Sequence, residues 1–352
     1  MAADSEKANP THAEYEGAPT AKPGFRPKFK RHCARFWWIY TIVFIIVVLV
    51  VVLPVVYVAY PHAAQSAIDK SALEVTSMSL LNPAPNSLDL ELDSLFLSNS
   101  SLQAKLDAFE ADLCLEDSTT PFVQISVPAI KAANGSQIHI SQGVQIEHNN
   151  EFFKYAETTL LSEEYSIYLK GKGGLKYGKL PKTTVDYNKK IMMKGLNGLK
   201  GFNVTEFALI TTAQPDGSNA HGTVVIPNPT VTTYSLGNLT MSMFVGGFSI
   251  GNSTLQDVVL PPGNNTVPLR AVTNQTAVVE LLFTDYKSGI FPIDVMVNRV
   301  VFHDKDLPYY EHALQLHNMT IQLDVIQVLE QAGLAGYLGI GNSTNSTSTG
   351  KA

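Results

Sequence analysis

The feature that most limits this chain is a run of 25 residues, Phe36 to Tyr60, without a single charge. At about 1.5 Å per residue, a helix of that length reaches roughly 37 Å, more than the ~30 Å hydrocarbon core of a bilayer. Trp37, Trp38 and Tyr40 stand at one end and Tyr57 and Tyr60 at the other, where aromatic rings meet headgroups. Pro54 predicts a kink, or the point where the helix leaves the hydrocarbon. A cleaved signal peptide would have a shorter apolar region, about 7–15 residues, and Ala63-Ala64 is a cleavage candidate. The length of the run and its start at residue 36 favour an uncleaved anchor over residues 36–60.

The flanks orient the anchor. Lys22, Arg26, Lys28, Lys30, Arg31 and Arg35 precede it, whereas Lys70 is the only base between it and residue 100. The basic flank stays in the cytosol, so residues 1–35 are expected as a disordered basic cytosolic tail and the C-terminal part as lumenal. The pattern Asn-X-Ser/Thr gives an independent test of side. It occurs at Asn99, Asn134, Asn203, Asn238, Asn252, Asn264, Asn274, Asn318, Asn342 and Asn345, all after the apolar run. The near-match before it, Asn9-Pro10-Thr11, is spoiled by proline. Both signals predict a single-pass glycoprotein in a secretory or vacuolar membrane, N-terminus cytosolic.

Charge narrows the partners. The formal net charge is −6, yet residues 1–60 carry seven Lys/Arg against four Asp/Glu. The remainder is therefore acidic and is no nucleic-acid binder, since phosphate contacts need clustered bases. The two cysteines, Cys33 and Cys114, fall on opposite sides of the anchor, so no disulfide framework is expected.

Beyond the anchor, apolar and polar residues alternate with a period of two. Leu88 to Asp93, Phe109/Ala111/Leu113/Leu115, Leu239/Met241/Met243/Val245 and Met319/Ile321/Leu323/Val325 each read as a half-buried strand. Turn clusters punctuate them at Asn82–Pro85, Gly171–Gly174, Gln214–Gly217 and Pro261–Asn264. Two stretches, from Glu151 and from Leu307, read as short aromatic helices. The order of Asn-Pro opening, strands, histidine, aromatic helix and strand occurs twice. The expected fold is mainly β: a transmembrane helix, then two tandem β-sandwich modules over 65–195 and 196–330, each with a short helix. Residues 331–352, rich in Ser, Thr and Asn, are expected as a disordered tail.

Gly222 to Thr230, Leu236 to Leu239, Gly246 to Gly251 and Pro262 to Asn265, in that order, resemble the fungal DUF3712 proteins. Those proteins are similar to the yeast vacuolar-membrane protein that helps terminate autophagy. The Asn-Pro strand opening also looks like the type-2 LEA (LEA-2) modules of plant NDR1/HIN1-like proteins. The resemblance implies LEA-2-like sandwiches and a fungal vacuolar membrane, with the plasma membrane or another secretory membrane as the alternative. It brings no catalytic residues. A role in autophagy or vacuole regulation is an expectation from this likeness alone.

The search for chemistry finds decoys. Gly247-Phe248-Ser249-Ile250-Gly251 matches GxSxG, but no helix pattern follows the serine and Asp257 is only eight residues on. Histidines 139, 148, 221, 303, 312 and 317 show no metal-ligand spacing, although His148 and His303 recur as a pair that an acidic lumen would protonate. The expectation is no enzyme, no catalytic residue, no metal and no cofactor. Lys170, Lys172, Lys176, Lys179 and Lys182 form a local basic cluster, read as a lysine-bearing hairpin or as a contact for anionic lipid. Two partner classes stay open: lumenal proteins, and lipids held in an apolar groove between sheet and helix. Phe152, Phe153, Tyr309 and Tyr310 are the candidate groove walls, with core packing as their competing role.

Overall fold

A computed structural model describes residues 26–99, 103–210, 212 and 214–339, with side chains from Trp37 onward. The first 25 residues, Asn342, Asn345 and the rest of the tail from residue 340 lie outside the described residues. Contacts divide the chain into Met1–Val58 and Ala59–Ala352.

The apolar run is helical. Helix α1 (Arg26–Pro54) starts ten residues before the run, within the stretch expected as tail, because Lys and Arg propagate a helix well. Pro54 lacks an N–H to continue the ladder, and the next five residues, Val55–Ala59, form a π turn. Helix α2 (Tyr60–Asp69) follows. The apolar helix from Trp37 to Asp69 is long enough to cross a membrane.

Two sheets follow, and in the second half the larger one curls into a hollow half-barrel. In chain order the elements are β1 (Ala72–Ala84), β2 (Ser87–Leu97), β3 (Ala104–Leu106), β4 (Phe109–Leu115), β5 (Val123–Val127), β6 (Ile130–Ala132), β7 (Ser136–Gln145), α3 (Asn149–Leu161), β8 (Glu164–Lys176) and β9 (Thr183–Lys194). Then come β10 (Asn203–Leu209), β11 (Ala220–Asn228), β12 (Thr232–Val245), β13 (Phe248–Leu260), β14 (Gly263–Thr273), α4 (Gln275–Thr284), β15 (Ile290–Phe302), β16 (Lys305–Asp306), α5 (Pro308–Gln315), β17 (Met319–Asp324) and α6 (Val325–Gln331). One sheet runs β10-β11-β14-β13-β12-β1-β2-β7 with β15, β16 and β17 branching from β12; the other holds β3 to β6, β8 and β9. Inward residues of β1, β2 and β7, such as Leu80, Leu90 and Val144, meet Leu113, Val123 and Ile167 of the second sheet across a packed core.

Strand β12 is the fork. Its first residues, Thr232 to Tyr234, pair in parallel with Met78 to Leu80 of β1, whereas Asn238 to Val245 pair with β15. Gly237 stands between, in the left-handed region at φ 76°; a Cβ there would lie 2.4 Å from the Val301 carbonyl oxygen. Only glycine lets the strand change partners at this point. One sheet thus draws strands from both stretches read as modules. The branch β10-β11-β14-β13-β12-β15-β17 curls until β10 and β17 touch, with α6 packed on β10 and β15.

The Asn-Pro opening at 228 is a buried polar knot. Asn228 donates from Nδ2 to the carbonyls of Thr232 (2.7 Å) and Leu260 (2.8 Å) and accepts the Thr230 N–H (3.0 Å) and hydroxyl (2.7 Å). Asn82 adopts φ 46° and donates to Asp89 at 2.8 Å in an exposed position.

Three expectations change. Gly171, Gly173 and Gly174 lie inside β8, not in a turn. A Cβ on Gly171 would lie 2.9 Å from the Phe109 ring and one on Gly173 3.1 Å from it; that ring stacks on Tyr187 at 4.6 Å, so Gly171 and Gly173 make room for an aromatic pair. The hairpin turn comes later, around Gly178 at φ 54°. Residues 331–339, expected with the polar tail, are folded: Ala335 is buried and Leu334 and Leu338 pack on the core. Residues 275–284 form a helix, α4, that alternation did not announce.

Helix α2 is tied to β9. The Gln65 amide donates to the Asp186 carbonyl and accepts the Asp186 N–H, both at 2.9 Å, as a neighbouring strand would. The buried Lys189 ammonium donates to the carbonyls of Ile68, Ser71 (2.6 Å) and Asp69 (3.3 Å), closing the C-terminus of α2. Burial lowers its pKa, and the Asp69 carboxylate opposes that shift. Ala64 and Ile68 bury the inner face of the helix.

Candidate functional site

The curl of the C-terminal branch leaves its interior unfilled. A cavity of about 240 Å³ lies between the concave sheet and helices α4 and α6. One water needs about 10–15 Å³ on this measure, so the void is far beyond a packing defect. Of its 20 lining residues, 17 are apolar and none is charged. Phe291 and Ile293 of β15, which are fully or nearly buried, form the floor. The polar groups are Thr273, Gln275 and Tyr337. The Thr273 hydroxyl is spent on Asn219 Oδ1 at 2.9 Å, and Gln275 and Tyr337 are exposed, so polarity gathers at the mouth.

Local sequence explains the two helical walls. Helix α4 opens with Asn274 as its cap, Oδ1 accepting the Ala277 N–H at 3.2 Å. Leu281 and Leu282 anchor it while Val278 and Val279 look into the void. Helix α6 opens with Asp324, whose carboxylate accepts the Gln327 N–H at 3.0 Å. The Val325 N–H reaches the Gly289 carbonyl at 2.9 Å. Gly289 adopts φ 81°, and a Cβ there would lie 2.5 Å from Ile326, so glycine seats the helix. Past Val325, every hydrogen bond found among the described residues 326–339 stays within residues 324–339. Past Val325 this wall is held to the sheet by apolar packing, with Val328, Leu329, Leu334 and Leu338 facing the void.

The aromatic residues proposed as groove walls are elsewhere and do other work. Phe152 and Tyr309 are each 1% exposed and meet edge to face at 4.9 Å, joining α3 to α5. Tyr310 is buried beside them and Phe153 tilts on His312 at 5.5 Å. Only about 30 Å³ is open among them. The helical walls, though not the void between them, left a trace in the sequence: the stretch Ala277 to Phe283, apolar except for Glu280, and the Val325, Val328, Leu329 spacing.

The remaining sequence candidates disperse. Ser249 lies opposite Phe244 on β12, whereas Asp257 binds Asn238 through its N–H at 2.9 Å. Six residues of strand separate those positions, about 20 Å, so the GxSxG serine and that aspartate are not brought together. His148 precedes α3, and His303 holds φ 45° in the turn after β15; both are exposed. No cluster of three or more metal-ligating side chains occurs among the described residues. Cys114 is buried and its thiol pKa is pushed up by that burial. Of the lysine cluster, Lys172 pairs with Asp186 at 3.4 Å, Lys182 pairs with Asp107, and Lys170 reaches the Ser118 carbonyl at 3.4 Å. Lys176 and Lys179 stand exposed on the β8–β9 hairpin. The eight sequon asparagines among the described residues, from Asn99 to Asn318, are all exposed.

Residues 120–243 match the family model described as a protein of unknown function (DUF3712), a stretch that runs from before β5 into β12. A search of curated proteins found no match. Among solved structures, the periplasmic chaperone SfaE is similar at 12% identity and a TM-score of 0.17, over 56% of this chain and 85% of its own. A bacterial adhesin from Mobiluncus mulieris, with disulfide, isopeptide and ester cross-links, is similar at 6% identity and a TM-score of 0.19, over 57% of this chain and 93% of its own. The CupB6 tip adhesin from Pseudomonas aeruginosa is similar at 7% identity and a TM-score of 0.17, over 72% of this chain and 98% of its own. Scores of this size do not amount to a shared overall arrangement.

Proposed function

We propose that this protein, whose middle third carries the DUF3712 match, is a membrane-anchored, non-enzymatic glycoprotein that holds a lipid acyl chain in the half-barrel cavity. The observation that carries this reading is the charge-free cavity itself, with its polar atoms confined to the mouth. An acyl chain gains by leaving water for such a void, and a polar headgroup gains by staying beside Gln275 and Tyr337. The basic flank before the apolar helix and the sequons after it support a cytosolic N-terminus and a lumenal β-rich part. Likeness to the fungal DUF3712 proteins supports the vacuolar membrane as its home and a part in vacuole regulation or autophagy.

The test uses the full chain reconstituted in vesicles with a photoactivatable fatty acid. After irradiation, cross-links mapped by mass spectrometry are expected on α4, α6 and β14, and excess laurate should remove them. Cross-links confined to the apolar helix α1 would refute the proposal.

A further inference from the structure

One sequon stands at the rim of the cavity. Asn274-Gln275-Thr276 opens α4, and Asn274 lies between Thr273 and Gln275, both of which line the void. Among the eight described sequon asparagines, it alone has cavity-lining residues on both sides. Asn274, Gln275 and Thr276 are exposed. The helix cap uses Oδ1, while Nδ2 has no hydrogen-bond partner among the described residues. The atom that would carry a sugar is therefore free, and adding one leaves the cap in place.

We propose that Asn274 carries an N-linked oligosaccharide that stands over the cavity mouth and governs the rate at which lipid enters and leaves. The proposal rests on the lipid-holding reading above. In the coupling step Nδ2 loses one proton and bonds to the anomeric carbon of the first sugar. The bond from that carbon to the pyrophosphate oxygen of a lipid-linked oligosaccharide breaks, and the lipid pyrophosphate leaves. A hydrated glycan cannot follow the acyl chain inward, because stripping water from its hydroxyls costs too much in an apolar void. It stays at the rim, where it slows entry and exit alike and leaves the equilibrium affinity unchanged.

The experiment uses the full chain from a glycosylating eukaryotic host. Occupancy of each sequon is read by peptide mass spectrometry after enzymatic deglycosylation, and uptake of a fluorescent fatty acid is followed by stopped flow. Two variants remove the sequon by different routes: Thr276→Ala keeps the capping asparagine, and Asn274→Asp keeps a capping oxygen. Asn274 is expected to be occupied, and both variants should take up the probe several-fold faster with the same Kd. An empty Asn274 beside occupied neighbouring sequons overturns the site. An occupied Asn274 with unchanged rates in both variants overturns the gating. If neither wild type nor variants bind the probe, the lipid-holding reading itself falls, and the gating with it, whatever the occupancy.

Discussion

Narrowing the cavity should exchange affinity for stability. Val278 on α4 faces the void, and Val278→Trp would place an indole inside it. Empty apolar space costs about 24 cal/mol per Å³, so a void of about 240 Å³ carries on the order of 6 kcal/mol that an acyl chain could recover. That corresponds to a Kd of ~40 µM for a chain that fills it. At a hundredfold excess over Kd, laurate would add ~2.7 kcal/mol. For a folded unit of this size the rise in Tm is roughly 5 °C. The indole occupies the same space permanently. The variant should therefore melt above the ligand-free wild type, by up to ~2 kcal/mol of added stability, and bind laurate at least about tenfold more weakly, a loss of ~1.4 kcal/mol. Thermal melts with and without laurate, together with a fluorescence titration, measure both quantities. Leu323→Phe, from the facing strand β17, should move both in the same direction. A variant that binds laurate as tightly as wild type, or a wild type whose Tm ignores laurate, would refute the reasoning.

Three further outcomes follow from the fold. Lys189→Met should lower stability by about 2 kcal/mol in urea melts, because the carbonyls ending α2 lose a charged donor. Asn228→Ala should cost about 3 kcal/mol, since four hydrogen bonds disappear inside a buried knot; calorimetry reads it as a lower Tm. Burial raises the pKa of Tyr155, Tyr165, Tyr187, Tyr234, Tyr309 and Tyr310 above its ordinary value. The fold favours their neutral form, so stability is full below the unfolded pKa near 10 and falls as pH rises past it. Acting together, the six make stability fall ever more steeply with pH above the unfolded value, until the fold gives way. Tyrosinate absorbance and circular dichroism should change in one shared step; tyrosines ionising within an intact fold would contradict it.

The strands were legible because one wet face and one dry face leave a period of two. Leu88 to Asp93 and Met241 to Val245 fall within strands β2 and β12. The apolar helix was legible because 25 consecutive uncharged residues are long enough, as a helix, to cross a hydrocarbon core. The cavity was not. An inward leucine of a packed sandwich and an inward leucine of a hollow half-barrel look alike in sequence. Whether the two walls meet depends on curvature, and curvature here turns on the fork at Gly237, where pairings from distant stretches divide one strand. Glycines 171, 173 and 174 mislead for a similar reason: they resemble a turn, but they lie in a strand, where Gly171 and Gly173 serve a ring-ring contact between Phe109 and Tyr187. Helix α4 was hidden because a short, largely apolar run with a single charge, Glu280, fits either helix or strand.

The divided strand also sets a timetable for synthesis. Strand β1 is finished early, but the partner for Met78 is Thr232, about 150 residues later in translation. Until then one edge of β1 is open to any passing polypeptide, and pairings this remote in the chain form slowly. A ribosome making this protein therefore delivers a half-built sheet first. Chaperones should associate with nascent chains stalled before residue 232 and let go once β12 has emerged.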